Sequence, residues 1–299
     1  MTLTVLRAAR LCRRSFPPAA LLMLPIAGAA QTLATPPALA PTVQDSHAVR
    51  RPLWELGLGL GALSLPDYRG AAERSTYLLP LPYVVYRGRW LRADRDGARA
   101  VLLDAEKLEI DISVNGSPPS RHTDRGARAG MERLPATLEI GPNINWTWWR
   151  SSSAKLDLRL PLRAAITVEH SPRSIGMVFA PNLNLDLSSA VPGWKLGVHG
   201  GPLWASQRYN QHYYGVSTAD ATVTRPQYDA RSGRGGWQAT AALSRRFAHT
   251  WAGAFVRYDA LNGAVFADSP LVQRHQGVTV GLGVSWIFAS SAELVAAEE

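Results

Sequence analysis

From Trp54 onward, apolar and polar residues alternate one by one, the spacing that puts successive side chains on opposite faces of a β-strand. Residues 154–170 show it best. Leu156, Leu158, Leu160, Leu162, Ala164, Ile166 and Val168 share one face; Asp157, Arg159, Arg163, Thr167 and Glu169 share the other. Helical spacing would scatter those leucines around a full turn. The same period predicts ten strands, at 54–64, 77–92, 99–115, 137–149, 154–170, 174–187, 193–206, 236–247, 250–261 and 276–288. In 174–187 the apolar face runs Ile175, Met177, Phe179, Leu183, Leu185 and Leu187. An interruption is expected at Ala105–Lys107, and a hairpin inside 207–235 would raise the count to twelve.

These runs exceed the five or six residues usual in a soluble sandwich and suit a bilayer crossing, which needs roughly nine to eleven tilted residues. Connections alternate in length: 65–76, 116–136, 207–235 and 262–275 are long, whereas 93–98, 150–153, 188–192 and 248–249 are short. The connection at 171–173 departs from that rule. Short turns on one side and long loops on the other are the habit of outer-membrane barrels. The expected fold is all-β, a transmembrane antiparallel up-and-down β-barrel.

Residues 1–30 read as a secretory signal. Arg7, Arg10, Arg13 and Arg14 precede an apolar stretch that ends in Ala27-Gly28-Ala29-Ala30. Residues 31–52, rich in Pro, Ala and Thr, read as a flexible periplasmic segment; 53–288 as the barrel; 289–299 as a short acidic periplasmic tail. Composition narrows the field further. The lone cysteine, Cys12, falls in the leader, so a disulfide scaffold and a Cys-type metal site are excluded. The net charge of +9 includes the four leader arginines, which leaves +5, too little and too dispersed for nucleic acid. The outer membrane of a Gram-negative cell is the expected compartment.

Tryptophans supply a second pattern. Trp54, Trp90, Trp146, Trp148, Trp194, Trp251 and Trp286 fall near periplasmic strand ends, and Trp204 and Trp237 near outer ends. Indoles settle at the level of the lipid headgroups, so these nine are the expected interface girdle. The polar faces should then turn inward, with Asp157, Arg159, Arg163 and Glu169 as charges paired across a narrow lumen. Gly57, Gly59 and Gly61 alternate on a strand and suit inward positions that leave little room. Gly283, Trp286 and Phe288 form a closing segment similar to the assembly signal of outer-membrane barrels, which implies handling by the barrel-assembly machinery.

Several segments resemble the MipA/OmpV family of MltA-interacting outer-membrane proteins. They are Pro80-Leu81-Pro82-Tyr83 with Tyr86-Arg87-Gly88, Glu139-Ile140-Gly141-Pro142, Leu160-Pro161-Leu162-Arg163, Tyr214-Gly215-Val216 and Arg225-Pro226-x-Tyr228-x-Ala230-x-x-Gly233. Arg257-Tyr258-x-x-Leu261-x-Gly263, Asp268-Ser269-Pro270-Leu271 and the end from Gly281 to Phe288 complete the set. Arg128-Ala129-Gly130-Met131 departs from the family in carrying Ala where an acid is expected, and the tail beyond Phe288 is unusual. The resemblance implies a barrel without catalytic chemistry or cofactor. It also implies a scaffold joining a murein lytic transglycosylase to a peptidoglycan synthase; other members are surface or adhesion proteins.

Two further readings stay open on the residues. A small-solute pore is disfavoured by the charge-dense lumen. A rim hydrolase would need the close pair His122 and Asp124, since no Gly-x-Ser-x-Gly elbow or helical His pair occurs. Arg225, Arg231 and Arg234, in the longest outer loop, are candidates for lipopolysaccharide phosphates, with a solvated loop face as the equal alternative. Lipid and lipopolysaccharide are the other expected partners.

Overall fold

The computed structural model describes residues 50–88, 91–94, 97–122, 124–188 and 193–296. The expected leader at 1–30, residues 31–49, Trp90 and residues 297–299 lie outside them. The strands are β1 (Arg50–Pro52), β2 (Trp54–Pro66), β3 (Arg74–Arg87), β4 (Leu91–Asp94), β5 (Gly97–Asp104), β6 (Leu108–Ser117), β7 (Ala136–Arg150) and β8 (Ala154–Val168). They continue as β9 (Ser174–Phe179), β10 (Asn182–Leu187), β11 (Lys195–Ala205), β12 (Gly233–Arg246), β13 (Thr250–Ala260), β14 (Gln276–Ser290) and β15 (Leu294–Ala296), with helix α1 at Gln207–Tyr214.

Every pairing is antiparallel, and β14 pairs with β2, so the last long strand meets the first. At the other side β8 pairs with both β9 and β10, and these pair with β11. The neighbour order therefore returns on itself as a barrel wall. Six strands run thirteen to fifteen residues. Fourteen residues span about 46 Å of strand, roughly 35 Å of height at the tilt usual for barrels, enough to cross a hydrocarbon core.

Alternation decides which way each residue faces. In β8 the even positions turn outward and Asp157, Arg159 and Arg163 turn in; in β2 Leu58 and Leu60 turn outward between inward Gly57, Gly59 and Gly61. Leu60 is 62% exposed and Leu78 72%, an arrangement that water would penalise and lipid would not. Gly59 sits where a Cβ would overlap the Val284 carbonyl of β14. The seam between first and last strands is thus too close for any side chain there.

The structure departs from the predicted strands at five places. The run 77–92 stops at Arg87, and Leu91–Asp94 belongs to a separate short strand. Residues 105–107 reverse the chain, with Ala105 and Leu108 exchanging backbone hydrogen bonds of 2.9 and 3.2 Å, so 99–115 becomes the hairpin β5–β6. The run 174–187 breaks between β9 and β10 at Ala180 and Pro181; the proline has no N–H for the ladder. With β9 and β10 taken as one bent strand the wall counts twelve, and the extra pair comes from 77–115, where two predicted strands become the four strands β3 to β6, not from 207–235. That segment holds α1 and one isolated bridge, Val216 to Tyr228, and not the hairpin that would have raised the count. Finally, Arg50–Pro52 and Leu294–Ala296 pair as a separate two-stranded ribbon at the turn end. The last residues of the supposed flexible segment and part of the tail are therefore ordered against each other.

Gly59→Val should block or weaken wall closure by about 1–3 kcal/mol, the usual cost of forcing volume into a filled site. Heat-modifiable gel migration checks it: the folded band should be depleted, whereas Leu60→Val on the lipid face should leave it intact.

Candidate functional site

The lumen is filled in tiers. At the turn end Glu55, 1% exposed, meets Arg246 at 3.1 Å through each carboxylate oxygen, Tyr83 Oη at 3.0 Å and Arg87 at 3.8 Å. Also near the turn end, Asp157, 1% exposed, accepts from Thr147 Oγ1 at 2.9 Å and pairs with Lys155 Nζ at 3.2 Å. Higher up the wall, Asp111 takes the amides of Asn143 and Asn145, the latter at 2.6 Å. Arg159 pairs with Asp186 across the β8–β10 ladder at 3.8 Å. Nearer the loop end Arg163 donates to Ser113 Oγ at 2.9 Å and lies 3.9 Å from Glu139. On the facing wall Asp259 takes Arg69 at 2.8 Å and Arg257 at 3.0 Å. Buried charges need partners of this kind, since an unpaired one costs several kcal/mol.

The long connections then close the loop end with an apolar core of their own. Tyr68, Met131, Leu134, Tyr214, Phe266 and Leu271 are among its buried members. Tyr214 stacks on Phe266 at 3.6 Å and 10°, and Tyr68 meets Tyr214 edge-on at 6.2 Å. Their hydroxyls are spent on the backbone, Tyr68 to Leu271 O at 2.7 Å and Tyr214 to Arg69 O at 3.0 Å. Helix α1 starts at Ser206, whose Oγ accepts from Tyr209 N and also from Met177 N of β9. That approach needs Gly176, at φ +117°, because a Cβ there would overlap the Ser206 hydroxyl. The helix drives Tyr209 into the mouth of the wall, where its hydroxyl donates to Glu139 at 3.0 Å. Burial, then the Glu139 charge, holds that phenol well above its ordinary pKa, so it stays a donor. Tyr213 Oη meets Thr137 at 3.3 Å on the same side.

The expected site residues divide as follows. Asp157, Arg159 and Arg163 face the lumen. Glu169 does not: it follows the end of β8 at the rim and pairs with Arg173 at 3.5 Å. Trp54, Trp146, Trp148 and Trp286 sit on the outward face at the turn end, and Trp204 and Trp237 on the outward face at the loop end. Trp194 lies in the turn before β11 under the Arg245 guanidinium. Trp251 is the exception. It shares its parity with Arg257 and Asp259, so it points inward, over Gly253 and 6.1 Å from the Tyr83 ring. Ile175 likewise turns in and is buried, because the positive-φ Gly176 beside it shifts the register of β9 against β8. At the closing segment Gly283 faces the lumen, while Trp286 and Phe288 are exposed outward with ring centroids 6.0 Å apart.

The rim chemistry also resolves. His122 pairs through Nδ1 with Asp67 at 2.9 Å, not with the exposed Asp124. Ser75 Oγ bonds the other oxygen of Asp67, so the carboxylate stands between serine and histidine. A nucleophile needs the histidine in that middle place. Arg225, one of the candidates for phosphates, is consumed internally: it donates to the carbonyls of Ala127 and Ala129 at 2.9 and 2.8 Å and to Asp220 O at 3.0 and 2.8 Å. No group of three His, Cys, Asp or Glu able to hold a metal occurs among the described residues.

A wall greasy outside, paired in charge inside and roofed by its own loops is a transmembrane β-barrel of the outer-membrane kind. Residues 58–288 match the family described as MltA-interacting protein MipA, and the chain belongs to that family. No curated relative matches it significantly. Similar solved structures include an outer membrane channel of Pseudomonas putida F1 (11% identity, 82% of this chain and 99% of that one, TM-score 0.40). A bacterial polysaccharide outer membrane secretin (10%, 79% and 99%, 0.37) and OprD of Pseudomonas aeruginosa (8%, 84% and 97%, 0.30) are others. Likeness that faint carries nothing about cargo or partners.

Two predictions follow from the cap. Phe266→Ala should cost it about 3–5 kcal/mol, exposing 206–232 to protease while the wall keeps its heat-modifiable band. His212 of α1 is pushed down to about 4, by burial first and then by Arg128 and Arg173, with Glu169 opposing. The unfolded ring titrates near 6.5, so its contribution to the cap is intact above that pH and is lost as pH falls toward 4. About 2 kcal/mol is expected once partial exposure is discounted. The protection of the 206–216 amides, measured against their intrinsic exchange rates, should fall between pH 7 and 5, and His212→Gln should flatten that fall.

Proposed function

We propose that the protein is a non-enzymatic, non-conducting anchor in the outer membrane. It holds a murein lytic transglycosylase, together with a peptidoglycan synthase, at its turn end. The observation that carries this reading is the obstruction of the lumen: Tyr209 and Tyr213 enter it from above, buried ion pairs line it, and the cap core lies over it. A solute would have to break several buried charge pairs to pass, and each is costly to orphan. The family name supports the enzyme partner. The turn end supports docking there, since the described residues leave it unroofed and the β1–β15 ribbon lies at that end.

The test is capture of purified, detergent-solubilised protein on a lytic transglycosylase column. Specific retention, lost on deleting residues 291–299 with the wall still folded, is the expected result. Absence of retention in mild detergent would count against the scaffold. Planar-bilayer recordings should show no discrete openings, and regular unitary steps would restore the pore. His122→Ala should leave murein and peptide hydrolysis by the preparation unchanged.

A further inference from the structure

Beside the cap, where loop 169–173, helix α1 and residues 128–135 meet, lie two adjoining cavities of about 770 and 200 Å³. They share Arg173, Ser174, Ile175 and His212. The larger also touches Arg208; the smaller also touches Arg128 and Arg133. Four arginines thus line the two cavities, and two carboxylates, Glu132 and Glu169, lie 3.8 and 3.5 Å from Arg173. Arg128 is held in place by the carbonyls of Tyr213 and Glu132, each at 3.2 Å, and Arg133 by Ser120 O at 2.7 Å. Between the cavities the Nε2 atom of His212 is buried and has no hydrogen-bond partner. Arg173 and Arg208 are exposed. Below the groove the outward residues Val168, Met177, Phe179 and Trp204 form an apolar strip, with Phe179 and Trp204 rings 6.1 Å apart.

A cationic groove divided in two, set on the rim above a lipid-facing strip, matches one kind of molecule: an amphiphile with two anionic groups. Guanidinium forks suit phosphate, and a neutral imidazole N–H adds a donor without a charge. We propose that this groove seats the two phosphates of a bisphosphorylated outer-leaflet lipid, whose acyl chains lie on the strip formed by Val168, Met177, Phe179 and Trp204. Arg173 stands between the two phosphate positions; Arg208 serves one, and Arg128 with Arg133 the other. The site is independent of the scaffold reading and lies at the opposite end of the wall.

The experiment titrates diphosphoryl lipid A into the full chain held in phosphatidylcholine nanodiscs, with bound lipid read by native mass spectrometry. Saturable binding is expected, weaker by about tenfold for monophosphoryl lipid A, the weight of one charge-assisted hydrogen bond. Arg173→Ala with Arg208→Ala should lose about tenfold or more. Arg208→Gln alone, on the exposed face of α1, keeps the test valid if the double variant misfolds, and should lose a few-fold at roughly constant folded band. Glu132→Gln should tighten binding, and Arg231→Ala, in the same cap but outside the groove, should change nothing. Equal affinity for the two forms of lipid A, or for phosphatidylglycerol, would overturn the proposal in favour of unspecific surface charge. Full displacement by millimolar inorganic phosphate would reduce the groove to a phosphate site without a lipid.

Discussion

A strand surrounded by hydrocarbon can send its amide hydrogens and carbonyls only to a neighbouring strand, so a spanning sheet must come back on itself. That demand is met here by the pairing of β2 with β14 along ten register positions and by the double pairing of β8 with β9 and β10. The rest follows from closure. Once the wall is a ring, alternate residues divide into a face against lipid and a face against the lumen. Leu58, Leu60, Leu282 and Val284 have a suitable solvent on the first. Asp111, Asp157 and Glu139 have none on the second beyond what other lumen groups provide. The ion pairs and amide bridges are therefore a consequence of geometry before they are anything functional.

The cap extends the same logic to the loop end. Sealing the mouth removes water from the upper lumen, which raises the cost of any charge left alone there. The cap answers by reaching down. Arg69 neutralises Asp259 on one side, and on the other Tyr209 reaches Glu139, next to Arg163. Wall and roof are thus coupled through polar contacts, while the apolar core around Tyr214 and Phe266 gives the roof its own cohesion. Four of the family-like segments converge there: Tyr214, Val216, Ala230, Leu261 and Leu271, scattered through the sequence, are all buried in this one core.

That convergence explains where sequence reading stopped. A two-residue period is local, so strands such as β7, β8 and β14 could be placed to within two residues of their observed ends. The inward run Gly57, Gly59, Gly61 was equally legible. Helix α1 was not: Gln-Arg-Tyr-Asn-Gln-His-Tyr-Tyr has no aliphatic stripe and is held by Ser206, Gly176 and the lumen below it. The cap core has no period because each loop contributes a few residues. The partner of His122 was invisible for a related reason: Asp67 is 55 residues away and reached through a loop, while Asp124 is a neighbour in sequence only. Trp251 was legible and misread. Height along a strand placed it with the girdle, but parity with Arg257 and Asp259 already turned it inward.

The seam also accounts for the chain beyond Phe288. Closing the ring brings together residues more than two hundred positions apart, the contact with the largest loop-closure cost in the fold. Below the wall the same two segments keep pairing: Leu53 N to Glu293 O and Ser291 N to Trp54 O, both at 2.9 Å, lead into the ribbon Arg50–Pro52 with Leu294–Ala296. Arg87 clasps it, donating to Leu53 O through its amide at 2.8 Å and to Pro52 O through its guanidinium at 2.6 Å. Each added pair is adjacent to one already formed and so adds little further closure entropy. A tail that reads in sequence as an appendage is, in the fold, a continuation of the bond that closes the barrel.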